Sequence, residues 1–242
     1  MDNMKTKNLI LICSIILIIF FSSLIYLTSL NSNEESIIIN DQSSFNVKEL
    51  GSNYNGNVQL IGPIGNENSD VKIAYIIGVH PTEQMVHNSL YNNLIEKSDS
   101  LNYCYYIYKI NVSSDRYDNG REAGQLLGNE FVVPHVISND YDLVIDVHSN
   151  EGTVGGNYLE TNFIFVPVSD AQSQGYVDEI ISKSPHLTHY FPESQTSPPF
   201  VTIPIIESGT SAMIYETYKF EDESVTNDYI IKLILAIEKL NL

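Results

Sequence analysis

His80 and Glu83 stand three residues apart in His80-Pro81-Thr82-Glu83. An imidazole at a strand end and a carboxylate in the next helical turn can face one point. Zinc takes both ligand types, and a catalytic zinc site uses three protein groups plus a water. Asp146-Val147-His148-Ser149 places a second imidazole at the end of another apolar run. The competing reading of His148 is a histidine that caps its strand through a hydrogen bond. Glu216, in Tyr215-Glu216-Thr217, ends a third apolar segment. A carboxylate there can serve as general base toward a water, or simply be solvated. The chain has two arginines, Arg116 and Arg121, both within Asp115-Arg116-Tyr117-Asp118-Asn119-Gly120-Arg121. Guanidinium binds a carboxylate through two parallel hydrogen bonds, which lysine cannot imitate.

The elements that must position these residues are legible as apolar runs. Phe45 to Ile64 reads as an opening hairpin, broken at Asn55-Gly56 and Gly62-Pro63. Val71 to Gly78 is almost continuously apolar, as buried central strands are. Pro81-Thr82-Glu83 then opens a helix with Thr82 as the expected N-cap. Strands are predicted at 103–112, 141–147, 163–168, 201–206 and 212–215. Helices are predicted near 122–127, 171–182 and 225–240. Strands alternating with helices indicate an α/β domain with a mixed, mostly parallel sheet flanked by helices. Sites in such sheets form at the carboxyl ends of strands, where His80, His148 and Glu216 fall.

Taken in order, His-x-x-Glu, an arginine-bearing loop, Asp-x-His-Ser and a late Glu before a closing helix resemble the zinc carboxypeptidase superfamily. The succinylglutamate desuccinylase and aspartoacylase branch belongs to it. The resemblance runs from about Phe45 to the C-terminus. It implies that His80, Glu83 and His148 bind one Zn²⁺ and that Glu216 is the general base. It matches Arg116 to the arginine that polarises the scissile carbonyl. Asn119 and Arg121 match the Asn-Arg pair that grips the substrate's terminal carboxylate, although Gly120 intervenes here. The family's mobile-loop tyrosine has no evident match among the 16 tyrosines.

Thirty acidic residues against 12 basic give a formal charge of −18. Affinity for nucleic acid comes largely from Lys and Arg on phosphates, so that partner is not expected. Cys13 and Cys104 are not expected to pair, and Cys104 reads as strand packing. Lys5 and Lys7 precede an uncharged stretch that runs to Glu34. A helix from Leu9 to Leu30 would span roughly 33 Å, enough for a bilayer core of about 30 Å. Residues 1–30 therefore read as a cytoplasmic tip and transmembrane signal anchor, 31–44 as a polar stalk, and 45–242 as the catalytic domain. The lysine-bearing flank stays inside, which puts the domain outside the membrane.

The expected activity is zinc-dependent hydrolysis of an amide bond, in a peptide or an N-acyl amino acid, beside a free carboxylate. The alternative is a non-catalytic surface protein that kept the fold for binding. His87, four residues after Glu83, is expected to be a partly exposed helix residue. Glu207 to Ser211 reads as a tight turn between two strands.

Overall fold

The structure is a computed structural model that describes residues 45–242, apart from 156, 157 and 194 and the side chains of 117 and 118. The expected anchor and stalk lie outside the described residues. Among the described residues no helix is long and apolar enough to cross a membrane.

β1 (Val47–Asn53) and β2 (Gly56–Gly65) form the expected hairpin, paired from Val47–Ile61 to Asn53–Gly56. β3 (Lys72–Ile77), β4 (Cys104–Val112) and β5 (Leu143–Asn150) follow, then β6 (Phe163–Phe165), β7 (Thr188–His189) and β8 (Ala212–Tyr218). They make one sheet in the order β1-β2-β4-β3-β5-β8-β6-β7. The centre, from β4 through β3 and β5 to β8, is parallel, and antiparallel pairings join β1 to β2, β2 to β4 and β6 to β8. β5 is buried at every residue, because helices cover both faces of such a sheet.

The helices are α1 (Gln84–Lys97), α2 (Gly120–Leu127), α3 (Val133–Ile137), α4 (Gly152–Gly155), α5 (Ala171–Lys183), α6 (Thr202–Glu207) and α7 (Glu223–Ile237). α7 buries Thr226, Ile230, Leu233, Ile234 and Ile237, the 3–4 residue spacing of one helix face. α5 starts at Asp170, whose carboxylate accepts the Ser173 N–H at 2.8 Å. That bond satisfies one of the amides a helix start leaves free. Tyr75, Tyr105, Tyr108 and Tyr215 are the largest side chains wholly inside the core. Cys104 is buried and unpaired in β4, and burial pushes its thiol pKa up.

Two expectations are corrected. The run expected as a strand at 201–206 instead forms helix α6 from Thr202, with Thr202, Ile205 and Ile206 buried. A short apolar run reads the same in either state, and here the i, i+3, i+4 spacing decided it. The turn from Glu207 to Ser211 therefore joins a helix to a strand. The N-cap of α1 is Glu83, not Thr82, and its side chain makes no cap bond, because the carboxylate turns toward two histidines instead.

Gly78 lets the chain leave β3 toward those histidines. Its φ is +87°, and a Cβ there would lie 2.1 Å from the Ile110 carbonyl oxygen. Gly78→Ala should cost more than the ~1–3 kcal/mol of backbone strain alone, lowering the melting temperature by about 2–4 °C per kcal/mol. Thermal unfolding followed by circular dichroism checks this, and an unchanged midpoint would contradict it.

Candidate metal centre

β3 and β5 are parallel neighbours, so the chain leaving both strands arrives at one edge of the sheet. Past Gly78, the Glu83 N–H donates to the His80 carbonyl at 3.2 Å. This tight turn folds the Glu83 side chain back on His80. His148 lies within β5 and pairs in register with Glu216 of β8. His80 Nδ1 is 2.9 Å from Glu83 Oε1, His148 Nδ1 is 3.1 Å from Glu83 Oε2, and the two Nδ1 atoms are 3.1 Å apart. All three residues are buried.

That spacing fits a metal. Bonds of about 2.0–2.1 Å at tetrahedral angles put ligand atoms about 3.3 Å apart. One ligand atom from each of His80, Glu83 and His148 lies within 4.8 Å of the others, and the two ring Nδ1 atoms meet beside the carboxylate. The surroundings hold the ligands in place. Glu83 Oε2 accepts the Ser149 N–H at 3.0 Å. His148 Nε2 lies 2.9 Å from Asp146 Oδ1, and Asp146 Oδ2 accepts the Thr202 hydroxyl at 2.9 Å. A carboxylate behind the second ring nitrogen fixes a metal-binding histidine and raises its basicity.

The electrostatics favour a cation. Burial alone would raise the pKa of Glu83, but hydrogen bonds from His148 and His80 hold it well below the usual carboxylate range. Burial opposes charge on His148, yet Asp146 and Glu83 together lift its pKa well above the usual value. His80 shifts the other way, lowered chiefly by burial.

Glu216 opens into the same cleft, a cavity of about 290 Å³ that His80, Glu83 and Arg121 also line. Asn150 Nδ2 donates to Glu216 Oε2 at 3.3 Å. Burial raises the pKa of Glu216 to about 8, and Glu83 adds to the shift against the opposing pull of His148. Among the described side chains, Tyr158 is the one tyrosine lining the cleft, and burial and then Glu216 push its pKa up to about 12.

Among the described side chains of the arginine loop, only Arg121 reaches His80 and Glu83. Arg121 NH1 is 2.7 Å from His80 Nε2, and its NH2 is 3.9 Å from Glu83 Oε1. Arg116 lies over the Tyr54 ring, 5.3 Å from its centre, and Asn119 is exposed at the start of α2. Neither lines the cleft. α2 approaches closely because Gly124 lacks a side chain, and a Cβ there would meet the Val79 carbonyl oxygen at 2.1 Å. Gln125 and Thr196 also reach the site, with Gln125 Nε2 3.5 Å from His80 Nε2 and 3.1 Å from Thr196 Oγ1. Gln125 carried a signal, being four residues after Arg121 on the same helix face. Thr196 sits in a loop and carried none.

His87 is buried, not partly exposed, and its Nε2 bonds the Val147 carbonyl at 3.0 Å, tying α1 to β5. Burial drops its pKa to about 4. His135 bonds Tyr108 and His186 stacks on Tyr229, both away from the ligands. No residue from Glu207 to Ser211 lines the cleft.

Solved structures share this arrangement of strands and helices. A carboxypeptidase A candidate from Shewanella denitrificans OS-217 matches with a TM-score of 0.61 at 15% identity, over 83% of this chain and 65% of that one. The fold is that of the zinc carboxypeptidases. A metallo-carboxypeptidase from Pseudomonas aeruginosa matches with a TM-score of 0.57 at 17% identity, over 79% of this chain and 64% of that one. The tripeptide-bound cell shape determinant Csd4 from Helicobacter pylori matches with a TM-score of 0.50 at 14% identity, over 80% of this chain and 54% of that one. The chain thus spans under two thirds of the length of each carboxypeptidase-fold protein. No protein-family model and no curated protein matches the sequence.

The raised pKa of Glu216 sets a pH dependence. In the folded metal-free protein its proton persists to about pH 8, while the unfolded chain releases it near 4.5. The contribution is therefore fully present below the unfolded value and is lost as pH rises through about 8. Glu216→Gln removes that loss. In urea unfolding of metal-stripped protein, the variant's stability relative to the native chain should rise steadily from about pH 4 to about pH 8. A difference that stays constant would contradict the assignment.

Proposed function

We propose that the chain is a zinc-dependent hydrolase that cleaves an amide bond beside a free carboxylate, in a peptide or an N-acyl amino acid. The observation that carries this reading is the cleft itself. Three ligand atoms converge within 4.8 Å, and the buried carboxyl of Glu216 opens beside them. His80, Glu83 and His148 would hold one Zn²⁺, which supplies Lewis-acid polarisation and water activation.

The remaining work falls to the chain's own residues. Glu216 takes a proton from the attacking water and returns it to the leaving nitrogen. Asn150 orients that carboxyl through its amide. Arg121, more than half exposed at the cleft mouth, offers paired donors to the substrate carboxylate. Arg116 keeps its proposed part in polarising the carbonyl, and Asn119 its part beside Arg121, only if substrate draws them into the cleft. Tyr158 closes one wall. The Pseudomonas protein was solved with (2-guanidinoethylmercapto)succinic acid and the Helicobacter protein with a tripeptide, which supports a peptide-like, carboxylate-bearing substrate. We place the domain outside the membrane, tethered through residues 9–30, on the sequence of that segment alone.

Two variants test the reading. His148→Ala should lower zinc affinity by orders of magnitude, read by metal analysis after mild chelation. Stoichiometric zinc in that variant would remove His148 from the ligand set. Glu216→Gln should keep its zinc and lose at least about a hundredfold in turnover on peptide and N-acyl amino acid substrates. Near-native turnover would remove Glu216 as the base. A native chain that binds zinc yet turns over none of these substrates would favour the binding-protein alternative.

A further inference from the structure

We infer that Gln125 is the residue that positions His80 for the metal, and that metal loading moves Arg121 off His80 and frees it for the cleft. This rests on the proposed metal site. His80 Nε2 has two polar neighbours, Arg121 NH1 at 2.7 Å and Gln125 Nε2 at 3.5 Å. Both present N–H groups to it. His80 is 5% exposed, so water does not replace them. In this state Nε2 accepts from Arg121, and the ring proton sits on Nδ1, where Glu83 Oε1 takes it at 2.9 Å.

A metal requires the opposite tautomer. If Nδ1 gives its lone pair to the ion, the neutral ring carries its proton on Nε2, which becomes a donor. A guanidinium has five donors and no acceptor, so Arg121 cannot stay at 2.7 Å with donor facing donor. Gln125 can stay. A half-turn of its amide exchanges nitrogen for oxygen with almost no change of shape. Its Oε1 then accepts the His80 Nε2–H. It can also accept the hydroxyl of Thr196, which now lies 3.1 Å from the Gln125 amide nitrogen. Gln125 is buried, whereas the Arg121 side chain is 57% exposed and free to swing. His148 needs no such exchange, because Asp146 already stands behind its Nε2 at 2.9 Å. The two histidines are thus held differently, one by a fixed carboxylate and one by a reversible amide.

Zinc titration of the metal-stripped full chain tests the assignment. Removal of a partner behind a ligand typically costs 10–100-fold in metal affinity. Gln125→Leu should weaken zinc by about that factor. Gln125→Glu, which keeps an acceptor, should bind within a few-fold of the native chain. Arg121→Ala should bind zinc as tightly as the native chain or more so, since it removes the competitor for Nε2. In ¹⁵N-histidine spectra of the zinc-loaded native chain, His80 should carry its proton on Nε2. Native zinc affinity in Gln125→Leu, loss of zinc in Arg121→Ala, or a bare Nε2 in the loaded native chain would each overturn the inference while leaving the metal site standing. A native chain that binds no zinc would overturn both.

Discussion

Glu83 carries a buried negative charge that the rest of the site is arranged around. A carboxylate removed from water is costly unless it is paired and hydrogen-bonded. Glu83 meets His80, His148 and the Ser149 N–H, at 2.9, 3.1 and 3.0 Å. Asp146 lies fully buried behind His148, and Glu216 opens beside it. Three carboxyl groups in one low-dielectric place favour positive charge. Without a metal, Asp146 and Glu83 lift the His148 pKa well above its usual value, and burial raises that of Glu216 to about 8. A dication held by His80, Glu83 and His148 would supply that positive charge instead. The parallel pairing of β3 with β5 and the turn at Gly78 matter because they bring these groups together.

The cleft's charges differ from those of the chain as a whole. A formal charge of −18 repels acidic ligands at long range. Within the cleft, however, Arg121 and Lys219 are the lining cations, and Glu151 already pairs with Lys219 at 2.7 Å. Arg121 reaches the Glu83 carboxylate only at 3.9 Å, and its hydrogen-bond partners are a neutral imidazole and a hydroxyl, at 2.7 and 3.2 Å. Those partners are weaker than a carboxylate. A substrate carboxylate can therefore displace them, so local chemistry rather than net charge governs which ligands enter.

The sheet was legible because its central strands are buried on both faces. Val71 to Gly78 and Tyr141 to Val147 read as strands directly, and their ends located His80 and His148. Residues 201–206 misled because a short Val-Thr-Ile-Pro-Ile-Ile run has the same composition in a strand or a helix. The grouping of His80, Glu83 and His148 was readable from their order and strand placement. The arginine loop was readable only as a cluster, since spacing alone could not tell which guanidinium faces the cleft. Arg116 rests on Tyr54 and Arg121 reaches His80. Gln125 and Thr196 escaped notice because they stand behind His80 rather than in the His80–Glu83–His148 group. Tyr158 escaped because nothing in 16 tyrosines marks the one beside a cleft.

The central claim is that two imidazoles and one carboxylate form a single metal site. Zinc-edge X-ray absorption on the zinc-loaded full chain tests it most directly. The account predicts a first shell of nitrogen and oxygen at about 2.0–2.2 Å, with the outer-ring scattering of two imidazoles and no sulfur. A sulfur shell near 2.3 Å, or an all-oxygen shell without imidazole scattering, would contradict it.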